Sequence, residues 1–208
     1  MTQTMSASEQ MTDGQIENVV SKLRDALRKH RAEISSSVAQ QVLGTQNLGM
    51  TMFTPFRDLV AAVSNIIVVP AVVVDCSRSS QQALAATGRA QYTDRKVVEN
   101  MPKAPAVLAE IVFFKPDLSK RDGYISDDDL EKEYALRGLE PVDPISLAAM
   151  NEAAPAFADE RPNGTHWRNA KGEWCFAAFG HWDDKRGVSV SRDGVGWNDC
   201  WWFAGVRK

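Results

Sequence analysis

The chain has 208 residues, of which 44% are hydrophobic and 25% charged, the ordinary composition of a globular protein. Its formal net charge of -3 predicts no general attraction to nucleic acid or to anionic lipid. The polar stretch 1–14 is untypical of a signal peptide, and no apolar run reaches the roughly 20 residues that a membrane helix needs. Because three cysteines are too few for a disulfide framework, we expect a cytoplasmic protein that does not act at a membrane.

A long amphipathic helix is predicted near the start of the chain, over about residues 13 to 43. Thr12 and Gln15 form a capping-box pattern, and Gly44 is a typical helix stop. Apolar residues spaced alternately four and three apart form a narrow stripe that also contains His30. The stripe favours a helix packed on the core, and the alternative is a coiled-coil-like contact between copies of the chain. Self-association would use five aliphatic residues: Ile16, Val20, Leu23, Leu27 and Ile34.

Two strands joined through two short helices are predicted next. Clusters of Val and Ile favour strands, whereas Ser79 or Ser80 and then Thr93 are typical helix caps. A connection of this length suits strands that pair in parallel or lie in one sheet. The predicted elements are a loop (44–55), a helix (56–63), a strand (66–75), two helices (81–87 and 94–100) and a strand (106–115).

Two further helices are predicted in the acidic middle of the chain. Ser126 precedes three aspartates, 127–129, whose charges complement the positive end of a helix dipole. Gly138 is the expected end of this helix. Asp143 and Pro144 predict the start of the other helix, because proline is favoured at the first helical position.

The last part of the chain contains all six tryptophans, from Trp167 to Trp202. Turn residues divide it into three predicted strands, 173–181, 187–192 and 200–207. An antiparallel meander is the simplest way to connect them. The sequence therefore predicts an α+β protein, with an N-terminal amphipathic helical segment (1–63) and a mixed domain (64–208) that ends in a Trp-rich antiparallel β-meander.

Four stretches of the chain resemble a recurrent family of small, uncharacterised proteins from bacterial and phage genomes. The resemblance covers about residues 74–208 and leaves 1–63 outside it. It implies a phage or mobile-element context, and it implies no activity, cofactor or catalytic residue. The stretches are QALAATGRAQYTDRKVVENMP (82–102), DDDLEKEYALRGLEPVDPISLAAMNEAAPAFADERPNGTHW (127–167), GEWCFAAF (172–179) and WWFAGVRK (201–208).

The residues that can bind metals form no established motif. Gly123 and Asp129 match the second half of a calcium loop, but Leu118 and Lys120 stand where its first half needs oxygen ligands. We therefore expect no metal site and no cofactor. A zinc site would need four scattered residues to converge: His166, Cys175, His181 and Cys200.

Catalytic motifs are likewise missing from the sequence. It contains no phosphate-binding loop, no dinucleotide-binding glycine pattern and no nucleophile elbow. Acidic residues are abundant, so a hydrolase with paired carboxylates stays open. The sequence favours a protein that is not an enzyme.

Aromatic and basic residues of the predicted meander are the candidate binding site. Tryptophan beside arginine suits stacking on bases or sugars, and it also suits an anchor for a protein partner. Trp182 and Trp197 flank predicted turns, so we expect these two to be exposed while most of the others fill the core. The expected binding residues are Trp182, Trp197, Arg186, Arg192 and Arg207.

The function favoured by the sequence is that of a non-catalytic interaction protein of phage or mobile-element type. Its partner would be another protein or a second copy of the chain. One alternative is a structural component of the virion that oligomerises through the N-terminal helix. Another alternative is a nucleic-acid-binding protein, since the end of the chain is net positive although the middle is net negative.

Overall fold

The computed structural model describes residues 11–64, 66–103, 108–118, 121–182, 184–192 and 196–208. The chain divides into two compact units, Met1–Thr54 and Pro55–Lys208, where the sequence predicted a boundary at residue 63. The helices are α1 (Asp13–Lys29), α2 (Ser36–Leu43), α3 (Leu48–Ser64), α4 (Ser80–Ala86), α5 (Arg95–Glu99), α6 (Asp127–Leu136), α7 (Pro144–Ala153) and α8 (Phe157–Glu160). None of these described helices is both long and apolar enough to cross a membrane.

The α+β prediction is confirmed, because a mixed sheet accompanies the helices. The strands are β1 (Ile66–Val73), β2 (Ala90–Thr93), β3 (Leu108–Phe114), β4 (Tyr124–Ile125), β5 (Leu139–Pro141), β6 (Asn163–Arg168), β7 (Trp174–Trp182), β8 (Lys185–Arg192), β9 (Trp197–Asn198) and β10 (Trp202–Arg207). The main sheet has the order β1-β3-β10-β6-β7-β8-β2, and β5 also pairs with β10. β4 and β9 form a separate antiparallel pair.

The N-terminal helix is present but shorter than predicted. α1 begins with the expected capping box, in which the Thr12 hydroxyl accepts from the Gln15 backbone N–H. It ends at His30, and a single 3-10 turn separates it from α2. The hydroxyls of Ser35 and Ser37 hydrogen-bond each other at 3.1 Å at the start of α2. Ile34 has extended backbone between the two helices and so does not continue the apolar stripe of α1.

The segment predicted as a loop, 44–55, is a correction, because α3 begins at Leu48 and runs through Pro55. Proline lacks a backbone N–H, so Pro55 leaves the carbonyl of Thr51 without its helical hydrogen bond. The remaining hydrogen bonds of α3 hold the helix together despite this one missing bond. The short helix predicted over 56–63 is the second half of α3.

The predicted capping residues lie at the starts of the later helices. Ser79 caps α4, Ser126 caps α6 and Asp143 caps α7, each by accepting a hydrogen bond from a backbone N–H of the first turn. At α5 the cap is Asp94, one residue after the predicted Thr93. These helix starts are local features, which explains why sequence patterns found them.

Strand order departs from the sequence prediction at the end of the chain. The three predicted strands are present as β7, β8 and β10, and β7 and β8 form an antiparallel hairpin. β10, however, does not continue the meander: it lies between β3 and β6, antiparallel to β3 and parallel to β6. β6 and the edge strand β2 were not predicted. The strands predicted at 66–75 and 106–115 pair antiparallel as β1 and β3, while 106–107 lie outside the described residues.

The main sheet buries a separate cluster on each face, as alternating side chains require. Helices α4, α5, α7 and α8 cover one face, with Leu84 and Leu147 fully buried. α6 and the β4–β9 pair cover the other, with Leu130 and Tyr134 fully buried. The candidate functional site lies where α6 meets the strands of this second face.

Candidate functional site

A cleft opens where two strands compete for the same edge of β10. β6 pairs with β10 only through Asn163 and Gly164, and further along the same edge β10 pairs with β5. The far end of β6 therefore separates from β5, and the hydroxyl of Thr165 closes the base of the gap by donating to the Val142 carbonyl at 2.6 Å. We call this gap the Trp174 cleft. It has a volume of about 540 Å³ and is lined by Pro102, Asp128, Glu131, Glu140, Pro141, Val142, Asp143, Pro144, His166, Trp167, Arg168 and Trp174.

His166 is the most constrained polar side chain of the cleft. Its imidazole is fully buried between two carboxylates: Nδ1 lies 2.7 Å from Oδ1 of Asp127, and Nε2 lies 2.9 Å from Oε1 of Glu131. The first contact is a hydrogen bond. In the second, the two atoms are close enough for an ion pair, but their geometry is not that of a hydrogen bond. The ring also stacks on Trp174, with a centroid distance of 4.5 Å and an interplanar angle of 7°. His166 thus has one nitrogen fixed and one without a hydrogen bond.

Asp127 is held in place by the capped start of α6 and by the β4–β9 pair. Pairing of Ile125 with Trp197 brings the indole of Trp197 against the start of α6. Its N–H donates to Oδ1 of Asp127 at 3.0 Å, the same oxygen that His166 contacts. One carboxylate therefore ties together α6, β6 and β9.

Burial by itself would raise the pKa of Asp127. Hydrogen bonds from His166 and Trp197, together with the positive charges of His166 and Arg168, outweigh that effect, so the pKa lies below its usual value of 3.8. A carboxyl whose folded pKa is lowered stabilises the fold fully above its unfolded pKa, and this stabilisation is lost as the pH falls through the folded pKa.

We accordingly expect the Asp127 contribution to be complete at neutral pH and to be lost as the pH falls below about 3.8. Thermal unfolding of the wild type and of Asp127→Asn, followed from pH 7 downwards, measures it. The stability difference between the two proteins should shrink as the pH falls below this value. A difference that stayed constant down to the acid transition would contradict the assignment.

Trp174 organises the outer wall of the cleft. Its indole N–H donates to Oδ1 of Asp128 at 3.0 Å, and the guanidinium of Arg168 lies 3.9 Å from its ring centroid. Arg168 also donates to Asp128 at 2.7 Å and to the carbonyl of Gly172 at 2.6 Å. The cleft thus already contains one guanidinium placed between an aromatic face and a carboxylate.

The remaining charges of the cleft are negative. Arg168 is neutralised by Asp128, which leaves Glu131, Glu140 and Asp143 as further carboxylates on the lining. Asp143 caps α7, whereas Glu140 is exposed. Aromatic and proline side chains form much of the rest. This combination suits a cationic group that can pair with carboxylate.

The ionisable side chains of the described lining are carboxylates, the guanidinium of Arg168 and the imidazole of His166. Both nitrogens of that imidazole are buried against carboxylates, Nδ1 against Asp127 and Nε2 against Glu131. The lining among the described residues offers neither a Ser, Cys nor Lys to act as a nucleophile beside it. The described residues also contain no group of three or more His, Cys, Asp or Glu side chains that could hold a metal ion. Asp129, the last position of the partial calcium loop, pairs with Arg121 at 3.0 Å and with Lys132 at 2.6 Å.

The two tryptophans expected to be exposed have different environments. Trp197 is buried, with 5% of its surface accessible, so the expectation was wrong for this residue. Its ring packs in the second-face cluster with Phe176 and Phe203, because β9 is drawn onto the sheet by its pairing with β4. Trp182 is half-buried and lies across Gly187, where an added Cβ would come within 2.3 Å of its ring.

The three arginines of the predicted binding surface each lie beside a carboxylate. Arg186 contacts Asp159 at 2.6 Å, and Arg192 contacts Asp94 at 3.0 Å. Arg207 lies 3.5 Å from Glu110. The structure therefore does not bring these cations together with Trp182 and Trp197 into one basic surface.

Sequence patterns carried only weak signals for the residues of the cleft. His166 stood out only as a scattered metal-binding residue type, and Asp127 only as a helix-start acid. Alternation along β7 places Trp174 and Phe176 on one face and Cys175 on the other. The contact between Asp127 and His166 joins residues 39 apart in the chain, and no local pattern encodes it.

Comparisons with models of protein families, with curated proteins and with solved structures give no match for this chain.

Proposed function

We propose that this protein is a non-catalytic interaction protein whose C-terminal unit binds a basic segment of a protein partner in the Trp174 cleft. The observation that supports the proposal most is the lining of the cleft, in which Glu140 is exposed and Glu131 half-exposed. Carboxylates that reach solvent in a concave site attract a cationic side chain.

The charge of the lining determines which class of ligand the Trp174 cleft attracts. With Arg168 and Asp128 neutralising each other, Glu131, Glu140 and Asp143 leave the lining net negative. A lysine or arginine side chain gains from these carboxylates, whereas phosphate or an acidic peptide is repelled. This charge also disfavours a nucleic-acid ligand at the cleft.

A titration with short peptides tests the proposal. Calorimetry should show that a peptide of alternating arginine and glycine binds the full chain, and that the matching glutamate peptide does not. Glu140→Gln should weaken binding of the arginine peptide roughly twofold to fivefold, because an exposed carboxylate contributes up to about 1 kcal/mol.

Glu160→Gln is the matched control, since Glu160 is an exposed glutamate of α8 that does not line the cleft. This variant should bind the arginine peptide as the wild type does. Equal binding by the Glu140 variant and the wild type, or equal binding of the two peptides, would count against the proposal.

A further inference from the structure

The narrow apolar stripe of α1, which we call its seam, is uncovered among the residues that the structure describes. Four residues spaced four, three and four apart lie on one face of the helix, and each remains 41–50% exposed: Ile16, Val20, Leu23 and Leu27. The other positions of a seven-residue repeat are mostly polar, which limits the apolar surface to this narrow line. Within α1, all of whose residues the structure describes, no residue is buried.

From the arrangement of charges beside this seam, we infer that α1 pairs with α1 of a second copy in antiparallel orientation, as a two-fold symmetric dimer. In the repeat, Ile16 and Leu23 occupy the d positions, and Val20 and Leu27 occupy the a positions. Antiparallel pairing places an a residue opposite a d residue in each layer. Ile16 then faces Leu27 of the second copy, and Val20 faces its Leu23, so the same four residues fill every layer.

The residues beside the seam carry complementary charges in this antiparallel pairing. Glu17 and Arg24 follow the two d residues, and antiparallel pairing brings Glu17 of one copy beside Arg24 of the other. Two-fold symmetry forms this ion pair twice. On the opposite flank, Val19 lies beside Ala26, an apolar pair.

A parallel dimer would lose this complementarity. There, Arg24 would lie beside Val19 of the second copy and Glu17 beside its Thr12, so neither charge has an opposite charge to pair with. A different protein would not require charges placed symmetrically about the middle of α1. The pattern therefore indicates a second copy as the occupant of the seam.

Charge reversal on the full chain tests the dimer and its orientation together. Sedimentation equilibrium should show a concentration-dependent dimer for the wild type. Glu17→Lys and Arg24→Glu should each raise the dissociation constant about tenfold, because each converts two attractive pairs into two repulsive ones. An equimolar mixture of the two variants should restore dimerisation, since both ion pairs re-form between unlike chains.

Lys22→Glu is the matched control, because Lys22 lies on the face of α1 away from the seam, and it should dimerise as the wild type does. Circular dichroism checks that each variant keeps its helix content. A monomeric wild type at high-micromolar concentration would overturn the inference. A mixture that remained as weak as its components would overturn the antiparallel orientation.

Discussion

Asp127→Ala is expected to destabilise the C-terminal unit by about 3 kcal/mol or more, because removing the carboxylate leaves two buried donors without their shared acceptor. His166 would lose the acceptor of its Nδ1, and Trp197 would lose the acceptor of its indole N–H. Both donors are enclosed in the structure, so water cannot readily replace the carboxylate. Urea unfolding followed by tryptophan fluorescence measures the loss.

Asp128→Ala provides the matched control, one residue further along the same helix turn. Asp128 also accepts from a tryptophan and pairs with a cation, Arg168, but its side chain is 71% exposed. Solvent screens this pair, so the expected loss is below about 1 kcal/mol. If both alanine variants lost the same stability, the structural importance assigned to the Asp127–His166 pair would be wrong.

Trp197→Ala is expected to cost about 3–5 kcal/mol, the range for deleting a large aromatic side chain from a core. The ring lies edge-on to Phe176, Trp201 and Phe203, at centroid distances of 5.2–5.5 Å. An added Cβ on Gly164 would come within 3.1 Å of the same ring, which shows how closely the indole packs on β6. Chemical unfolding, monitored by circular dichroism so that loss of a fluorophore does not interfere, gives the free energy.

The half-buried Trp182 allows a comparison within one residue type. Because its ring is already partly exposed, Trp182→Ala should cost only about 1–2 kcal/mol. Trp197→Phe should lie between the two alanine variants, since it keeps an aromatic ring and loses the hydrogen bond to Asp127. A larger loss for Trp182→Ala than for Trp197→Ala would show that the burial of these residues is misassigned.

Local sequence patterns were sufficient to predict helix starts and the β7–β8 hairpin. Ser126 before three aspartates, and Asp143 before Pro144, satisfy free N–H groups within a few residues of themselves. The hairpin joins neighbouring strands through a short turn, so its pairing is also local. The first half of α3 was missed because Pro55 indicates a break, although the helix is already established before it.

The cleft and the burial of Trp197 depend on contacts between distant parts of the chain. β10 inserts between β3 and β6, and β5 then displaces β6 along the same edge of β10. The β4–β9 pair, whose partners are separated by about 70 residues, determines that Trp197 faces the core. A residue beside a predicted turn is expected to be exposed, and only this long-range pairing reverses that expectation.

The claim that the Trp174 cleft binds a cationic side chain is tested most directly by the indole N–H signals of the six tryptophans in an ¹⁵N nuclear magnetic resonance spectrum. Trp174→Phe identifies the Trp174 signal by its disappearance. On addition of the arginine–glycine peptide, we expect the Trp174 signal to shift and the Trp182 signal to stay in place. A shift of the Trp182 signal with that of Trp174 unchanged would show that the peptide binds elsewhere, and an unchanged spectrum would show that it does not bind.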